Sequence, residues 1–308
     1  MPTITITMEN ILSDVKILRK PEFETVRYNT KLSFIPSERN LVSVIRNIDQ
    51  SYRSAESDVL FNYIFEWGEA KDSYTAEHPK RLSFTDNIEY INDGGNDLVR
   101  LINENKMIPA YYASSGVQSA MPLDVMADYF TGLVGKNASV SKHDLANTLA
   151  RYLGKDKELT NEMLKSISNK MKYQSVQLFI EEPEQNLYPD SQRNLTINLV
   201  CALKQAMPKG RGDSMLVMTT HSPYILSTLN VLIAEAYAMD AKPKSDKLRN
   251  IVNKECLFPL SAYSAYYIQE DGKFEDITMI SGNELDGVSD WVDDKIARIN
   301  AVLYGTKR

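Results

Sequence analysis

Glu181-Glu182-Pro183-Glu184 follows directly on Val176-Gln177-Leu178-Phe179-Ile180, a short and nearly continuous apolar run with the composition of a strand buried on both faces. Acids at the carboxyl end of a buried strand stand where open α/β sheets place their ligands. Adjacent carboxylates in a half-buried crevice repel one another, so a cation is needed to make the arrangement tolerable. A Mg²⁺–phosphate complex meets that need: one carboxylate holds the ion through water and the other orients an attacking water. A cluster of helix-capping acids at a strand–loop junction is the plainer reading of the same residues.

The chain contains three histidines. His78 and His143 lie in polar surroundings and are assigned no role. His221 stands 39 positions after Glu182, in Thr219-Thr220-His221-Ser222-Pro223, directly after a second apolar run, Met215-Leu216-Val217-Met218-Thr219. A lone histidine is more often a structural hydrogen-bonding group than a chemical one. This one is expected at the same sheet edge as the acids, because successive parallel strands end on the same side.

The elements that must hold these groups read as a βαβα unit. A strand over 176–180 is followed by a helix from Asp190 to Met207, then by a buried strand over 215–219. Ser222 then serves as N-cap and Pro223 as first helical residue of a further helix. Strand and helix alternating at this spacing imply a parallel sheet covered by helices. Upstream, the first 35 residues alternate like strands, with Ile4, Ile6 and Met8 on one face and Leu32-Ser33-Phe34-Ile35 later. Pro36 ends that stretch, and Ser37 is placed to cap a helix starting near Glu38-Arg39. Apolar spacing is helical over 40–70, through Val44, Ile48, Tyr52, Leu60, Tyr63, Ile64 and Trp67. The polar segment 71–97 reads as loop and short strand, and helical pattern returns at 123–134 and over 141–172. A hairpin is expected around Asp271-Gly272-Lys273, then a last amphipathic helix through Val292, Ile296, Ile299 and Leu303.

Composition narrows the function classes. Of 308 residues, 43% are hydrophobic and 25% charged, ordinary for a soluble globular chain and unlike disordered or fibrous sequences. No apolar run reaches the ~18 residues of a membrane helix, and no secretion signal opens the chain. Two cysteines, Cys201 and Cys256, are too few for a disulfide framework or a zinc knuckle, so a cytoplasmic location is expected. The net charge of −6 argues against a broadly basic nucleic-acid surface and leaves direct nucleic-acid binding an open question.

At this point the sequence resembles a family. The segment 178–189, Leu-Phe-Ile-Glu-Glu-Pro-Glu-Gln-Asn-Leu-Tyr-Pro, looks like the Walker B strand and D-loop of ABC-type ATPases, in the form carried by the OLD-like branch related to RecF and SMC heads. Thr219-Thr220-His221-Ser222-Pro223 resembles that branch's switch-histidine segment, and Ser114-Ser115-Gly116-Val117-Gln118 its version of the ABC signature. Phe34-Ile35-Pro36-Ser37-Glu38-Arg39 resembles the strand and turn before the helical lobe. The resemblance implies an α/β, parallel-sheet P-loop NTPase-like fold (an ABC ATPase head). It would form a single incomplete ATPase domain over 1–308, with a β lobe over 1–36, a largely helical signature lobe over 37–175, and a Walker B and switch-histidine core with C-terminal hairpin and helix over 176–308.

It also implies ATP and Mg²⁺ as cofactors. By that resemblance Glu182 polarises the attacking water, Glu181 holds Mg²⁺ through its hydration shell, and His221 senses the terminal phosphate. Ser115, Gly116 and Gln118 act on the nucleotide of an opposite subunit in a homodimer, and Asn186 and Leu187 lie in the segment that meets it. Ser115-x-x-Gln118 reads independently as a capping box, so a helix is expected to start there with free N–H groups that attract phosphate. Val117 stands where transporters carry a second glycine, and Pro122 is expected to kink or restart the helix. Arg39 either reaches phosphate, ties the helical lobe to the sheet, or forms a surface salt bridge.

One part of the family pattern is absent from the sequence. No Gly-x-x-x-x-Gly-Lys-[Ser/Thr] occurs; the Gly-Lys pairs at 135–136, 154–155 and 272–273 are followed by Asn137, Asp156 and Phe274. The expectation is a head lacking the first strand, P-loop and helix, with an open sheet edge that invites self-association and little ATP binding or turnover by itself. Two functions follow: an ATPase head coupled to a partner such as a nuclease, or a non-catalytic interaction module retaining the dimer surface. A nuclease domain within the chain is not expected, since only a short hairpin and one helix follow residue 240.

Overall fold

A computed structural model describes residues 29–45, 48, 59–136, 172–210, 214–276 and 297–302. The expected strands before residue 29, most of the helical stretch 141–172, and much of the last helix lie outside the described residues. The architecture is α/β, built on a parallel three-stranded sheet with helices, consistent with a P-loop NTPase-like fold.

The sheet pairs β1 (Thr30–Ile35) with β6 (Ser175–Glu181), and β6 with β7 (Met215–Thr219), all parallel. In this register Ile35 pairs with Ile180, and Glu181 with Thr219, so the loops after all three strands emerge at one edge. One face of the sheet (Ser33, Ile35, Val176, Leu178, Ile180) is buried. On the other, Leu32, Met215 and Val217 are exposed. The expectation that both the 176–180 and 215–219 strands are buried on two faces is therefore corrected. β6 alternates buried with half-buried residues, and β7, which has a single partner among the described residues, alternates exposed with half-buried ones. An edge strand with one covered face follows period-two burial whatever its composition.

The helices downstream form as their sequences direct. Helix α4 (Pro189–Ala206) starts on a proline, and α5 (Pro223–Ala241) starts at Ser222, whose hydroxyl accepts the Tyr224 N–H at 3.2 Å. The hairpin β8 (Tyr266–Ile268) and β9 (Phe274–Asp276) is antiparallel as expected. The two cysteines are joined: Cys201 on α4 bonds Cys256, with Cα atoms 4.4 Å apart, and ties the turn 254–256 to that helix. Among the described residues no helix is long and apolar enough to cross a membrane.

The region between β1 and β6 holds α1 (Leu41–Val44), α2 (Val59–Lys71) and α3 (Ser115–Leu133). It also holds a four-stranded antiparallel sheet: β2 (Lys80–Arg81), β3 (Ile88–Asp93), β4 (Asn96–Leu101) and β5 (Lys106–Pro109). The reading of 71–97 as loop and short strand missed this sheet, which makes the described part of the lobe a mixture of strands and helices. Its strands are rich in Asn, Asp, Glu and Lys and bury few residues, chiefly Tyr90, Ile91 and Val99, so composition argues against them. One hydrophobic core nevertheless runs from Tyr90 and Val99 through Trp67 and Phe130 to Leu178 and Leu195, joining both sheets. Lys31 on β1 adds a buried ion pair to Glu66 on α2 at 2.5 Å.

Asp124 on α3 is fully buried. Its carboxylate accepts the Ser83 N–H at 2.5 Å and the Asn198 amide at 3.0 Å, with the Lys80 ammonium 3.7 Å away. Burial still raises its pKa, outweighing Lys80 and the Ser83 hydrogen bonds. The folded state thus keeps this proton to higher pH than the unfolded chain does, so the group's contribution to stability declines as pH rises from the ordinary carboxylate value through its raised folded one. Asp124→Asn is expected to remove that decline. In urea melts between about pH 4 and pH 7, the stability difference between variant and parent is expected to move in the variant's favour as pH rises.

Candidate functional site

The loop after β6 and the loop after β7 meet at the carboxyl edge of the parallel sheet. The Glu182 N–H donates to Thr219 O at 2.9 Å, and the His221 N–H donates to Glu184 Oε1 at 2.7 Å. His221 Nε2 stands 3.8 Å from Glu182 Oε1, with its side chain 89% exposed. The acids and the imidazole therefore share one rim, as the parallel topology requires. The Glu181 carboxylate accepts the Ser37 N–H at 3.2 Å, joining β6 to the turn after β1.

Two residues of the acid loop have left-handed backbones, Glu182 at φ 42° and Asn186 at φ 60°. Asparagine tolerates that region; glutamate there costs about 1–3 kcal/mol and persists only when its surroundings hold it. Gln192, at the start of α4, braces the same loop. Its amide donates to Leu187 O at 2.9 Å and accepts the Ser222 hydroxyl at 2.6 Å, so one buried side chain spans both loops.

The signature segment departs from its sequence reading. Ser114, not Ser115, is the N-cap: its backbone is extended, and its hydroxyl accepts the Val117 N–H at 3.4 Å. Ser115 is the first helical residue and is exposed. Gln118 does not return to the cap. Its amide donates to Tyr111 O at 2.9 Å and, more weakly, to Ala110 O at 3.4 Å, so the capping box does not form. Gly116 is needed inside its own chain, because a Cβ there would stand 2.8 Å from Asn186 O. Asn186 in turn donates to the Ser119 hydroxyl at 2.8 Å, and Leu187 packs against the core. The start of α3 and the acid loop are thus packed together within one chain.

Pro122 does not restart the helix, which is one element over Ser115–Leu133. A proline leaves the carbonyl four residues earlier without its N–H partner. Here that carbonyl, Gln118 O, accepts the Ser43 hydroxyl at 2.9 Å.

Arg39 ties the lobe to the sheet; it forms no surface salt bridge. The residue is fully buried, and Nε donates to Ser119 O at 2.8 Å, Nη1 to Glu181 O at 2.7 Å and Nη2 to Glu182 O at 2.7 Å. Burial pulls its pKa down, opposed by attraction to Tyr63, Glu184, Glu182 and Glu181. Sequence reading left Arg39 undecided and did not find Ser119 or Gln192. Their contacts span 80, 67 and 30 residues, and no local pattern marks them.

A hard, oxygen-preferring ion suits carboxylates at this rim. Among the described residues no three His, Cys, Asp or Glu side chains gather to hold a metal unaided, so Mg²⁺ here would need water and phosphate oxygens for most of its shell. Glu181 and Glu182 fit that minority part. The family model described as AAA ATPase domain matches residues 18–226, more than half of the 308-residue chain. No curated protein and no solved structure matches it.

Proposed function

The chain belongs to the AAA ATPase domain family, and from that premise we propose that it is an ABC-type ATPase head of the OLD-like branch. Its chemistry is ATP binding and hydrolysis, with Mg²⁺ bound as the nucleotide complex. The observation that carries the reading is the meeting of Glu182 and His221, 3.8 Å apart on one rim of a parallel sheet. Bound Mg²⁺ neutralises phosphate charge and polarises the terminal phosphoryl group. Glu181 holds that ion through its hydration shell. Glu182 orients the attacking water and accepts its proton, and the exposed His221 imidazole contacts the terminal phosphate.

The rest of the proposal concerns a second copy of the chain. Exposed Ser115, with Gly116 and Gln118 behind it, starts the helix that meets the other copy's nucleotide, and Asn186 and Leu187 lie beside it. The close approach of Gly116 to Asn186 O supports treating these as one surface. The partner coupled to the cycle is an effector protein such as a nuclease.

Glu182→Gln tests the reading. It preserves shape and hydrogen bonding while removing the base. Because no P-loop motif occurs in the sequence, turnover is read as residual phosphate release at high Mg-ATP. The parent rate there is expected to be low and to fall at least about tenfold further in the variant, with the melting temperature unchanged. Equal phosphate release by parent and variant would point instead to the interaction module without catalysis.

A further inference from the structure

We propose that Arg39 is a positioning residue for the acid loop, holding Glu182 in its left-handed conformation and, through Ser119, making the start of α3 and the acid loop move as one unit. The inference rests on the ATPase reading for why that loop's geometry matters, and on the structure alone for the geometry.

A fully buried guanidinium is costly unless its donors are satisfied and its charge is balanced. All four hydrogen bonds of the Arg39 guanidinium end on backbone carbonyls: Ser119 O at 2.8 Å, Glu181 O and Glu182 O at 2.7 Å, and Pro36 O at 3.3 Å. Its balancing charges are the carboxylates of Glu184, Glu182 and Glu181, which it attracts without hydrogen-bonding. Sequence reasoning required a cation to make adjacent acids tolerable; Arg39 is a resident one, in place before any metal or nucleotide arrives. Its planar fork also fixes direction, which a point charge does not.

The clamp acts where the backbone is strained. The Glu182 peptide is held from three sides, its carbonyl by Arg39 and the Gln185 N–H, its own N–H by Thr219 O. At φ 42° this residue aims its carboxylate toward His221. Ser119 then joins the loop to α3 twice, through its carbonyl to Arg39 and its hydroxyl to Asn186. Gly116 seats the same helix against Asn186 O. A displacement at the start of α3 is therefore passed to Glu182 along these hydrogen bonds.

Residue-level amide hydrogen exchange on the full 308-residue chain tests this without nucleotide. Three loop amides report: Glu182 to Thr219 O, Gln185 to Glu182 O, and Leu187 to Glu184 O. Arg39→Lys keeps the charge and loses the fork; Arg39→Gln loses both. Exchange at the three amides is expected to rise about tenfold in Arg39→Gln and less in Arg39→Lys, with Leu178 and Phe179 in β6 unchanged. Ser119→Ala, which spares the carbonyl, is expected to raise exchange at Leu187 and leave Glu182 unchanged. Unchanged loop exchange in both Arg39 variants overturns the proposal, and so does an equal rise throughout β6 and α3, which marks a general structural role. If neither Arg39 variant folds, Ser119→Ala decides: a rise confined to Leu187 supports the clasp, and no rise overturns it. Failure of Glu182→Gln to change residual turnover counts against the ATPase reading alone, since exchange is read without ATP.

Discussion

Titration of the 308-residue polypeptide with Mg-ATP is expected to give a dissociation constant about a thousandfold weaker than that of a site with a complete phosphate cradle. A P-loop supplies several charge-assisted hydrogen bonds and a lysine, each bond worth roughly 1.5–3 kcal/mol. Without three of them the deficit is about 4 kcal/mol or more. The structure shows why two of the Gly-Lys pairs in the sequence do not substitute. Gly135-Lys136 lies at the carboxyl end of α3, the wrong pole of a helix for phosphate, and its N–H groups are already given to Tyr173 O and Leu133 O. Gly272-Lys273 turns the exposed β8–β9 hairpin, with the Gly272 N–H given to Gln269 O and the Lys273 N–H to Asp271. The pair at 154–155 lies outside the described residues. Isothermal calorimetry measures the outcome directly. A low-micromolar constant would show that other residues of this chain form the cradle.

Trp67→Ala is expected to destabilise the protein by about 3–5 kcal/mol, lowering the melting temperature by on the order of 10 °C. Trp67 is fully buried on α2, and its ring lies 5.5 Å from that of Tyr90 on the antiparallel sheet. Its indole Nε1 has no hydrogen-bond partner, so the loss is one of packing and cavity alone. The size of the effect reports whether the two sheets share a core. Tyr188→Ala, a change of comparable volume at a residue 83% exposed, is the control and is expected to stay within about 0.5 kcal/mol of the parent. If both variants melt together with the parent, the two sheets do not share the core through Trp67.

The two sets of interactions answer different questions. Packing around Trp67 holds α2 against the antiparallel sheet, while the Arg39 and Gln192 contacts orient two loops at one edge. Loss of the first is read in global stability. Loss of the second is read locally, in exchange of loop amides, because the strands beneath stay paired.

The sequence by itself determined the half of the molecule in which signals are local. A β-branched apolar run, a proline at a helix start, a serine cap and a second apolar run define β6, α4 and β7 to within a residue or two and mark the start of α5. Parallel order then puts Glu182 and His221 at one edge, since a crossover connection sets both strands running in the same direction. The glycine turn of the β8–β9 hairpin was legible for the same reason.

Tertiary structure alone decided the rest. The antiparallel sheet over 80–109 carries too many polar residues for its strands to be read individually; pairing and a shared core around Tyr90 and Val99 make them strands. The Ser114 cap won over Ser115 because backbone conformation, not the S-x-x-Q pattern, selects which of two adjacent serines is extended. Arg39, an open question in the sequence, became a buried clamp because Ser119 and Glu182, 80 and 143 residues away, bring their carbonyls to it. Residue type sets what a side chain is able to do; which partner it meets across such separations is fixed only when the chain closes around a core, since no local rule of spacing links positions that far apart.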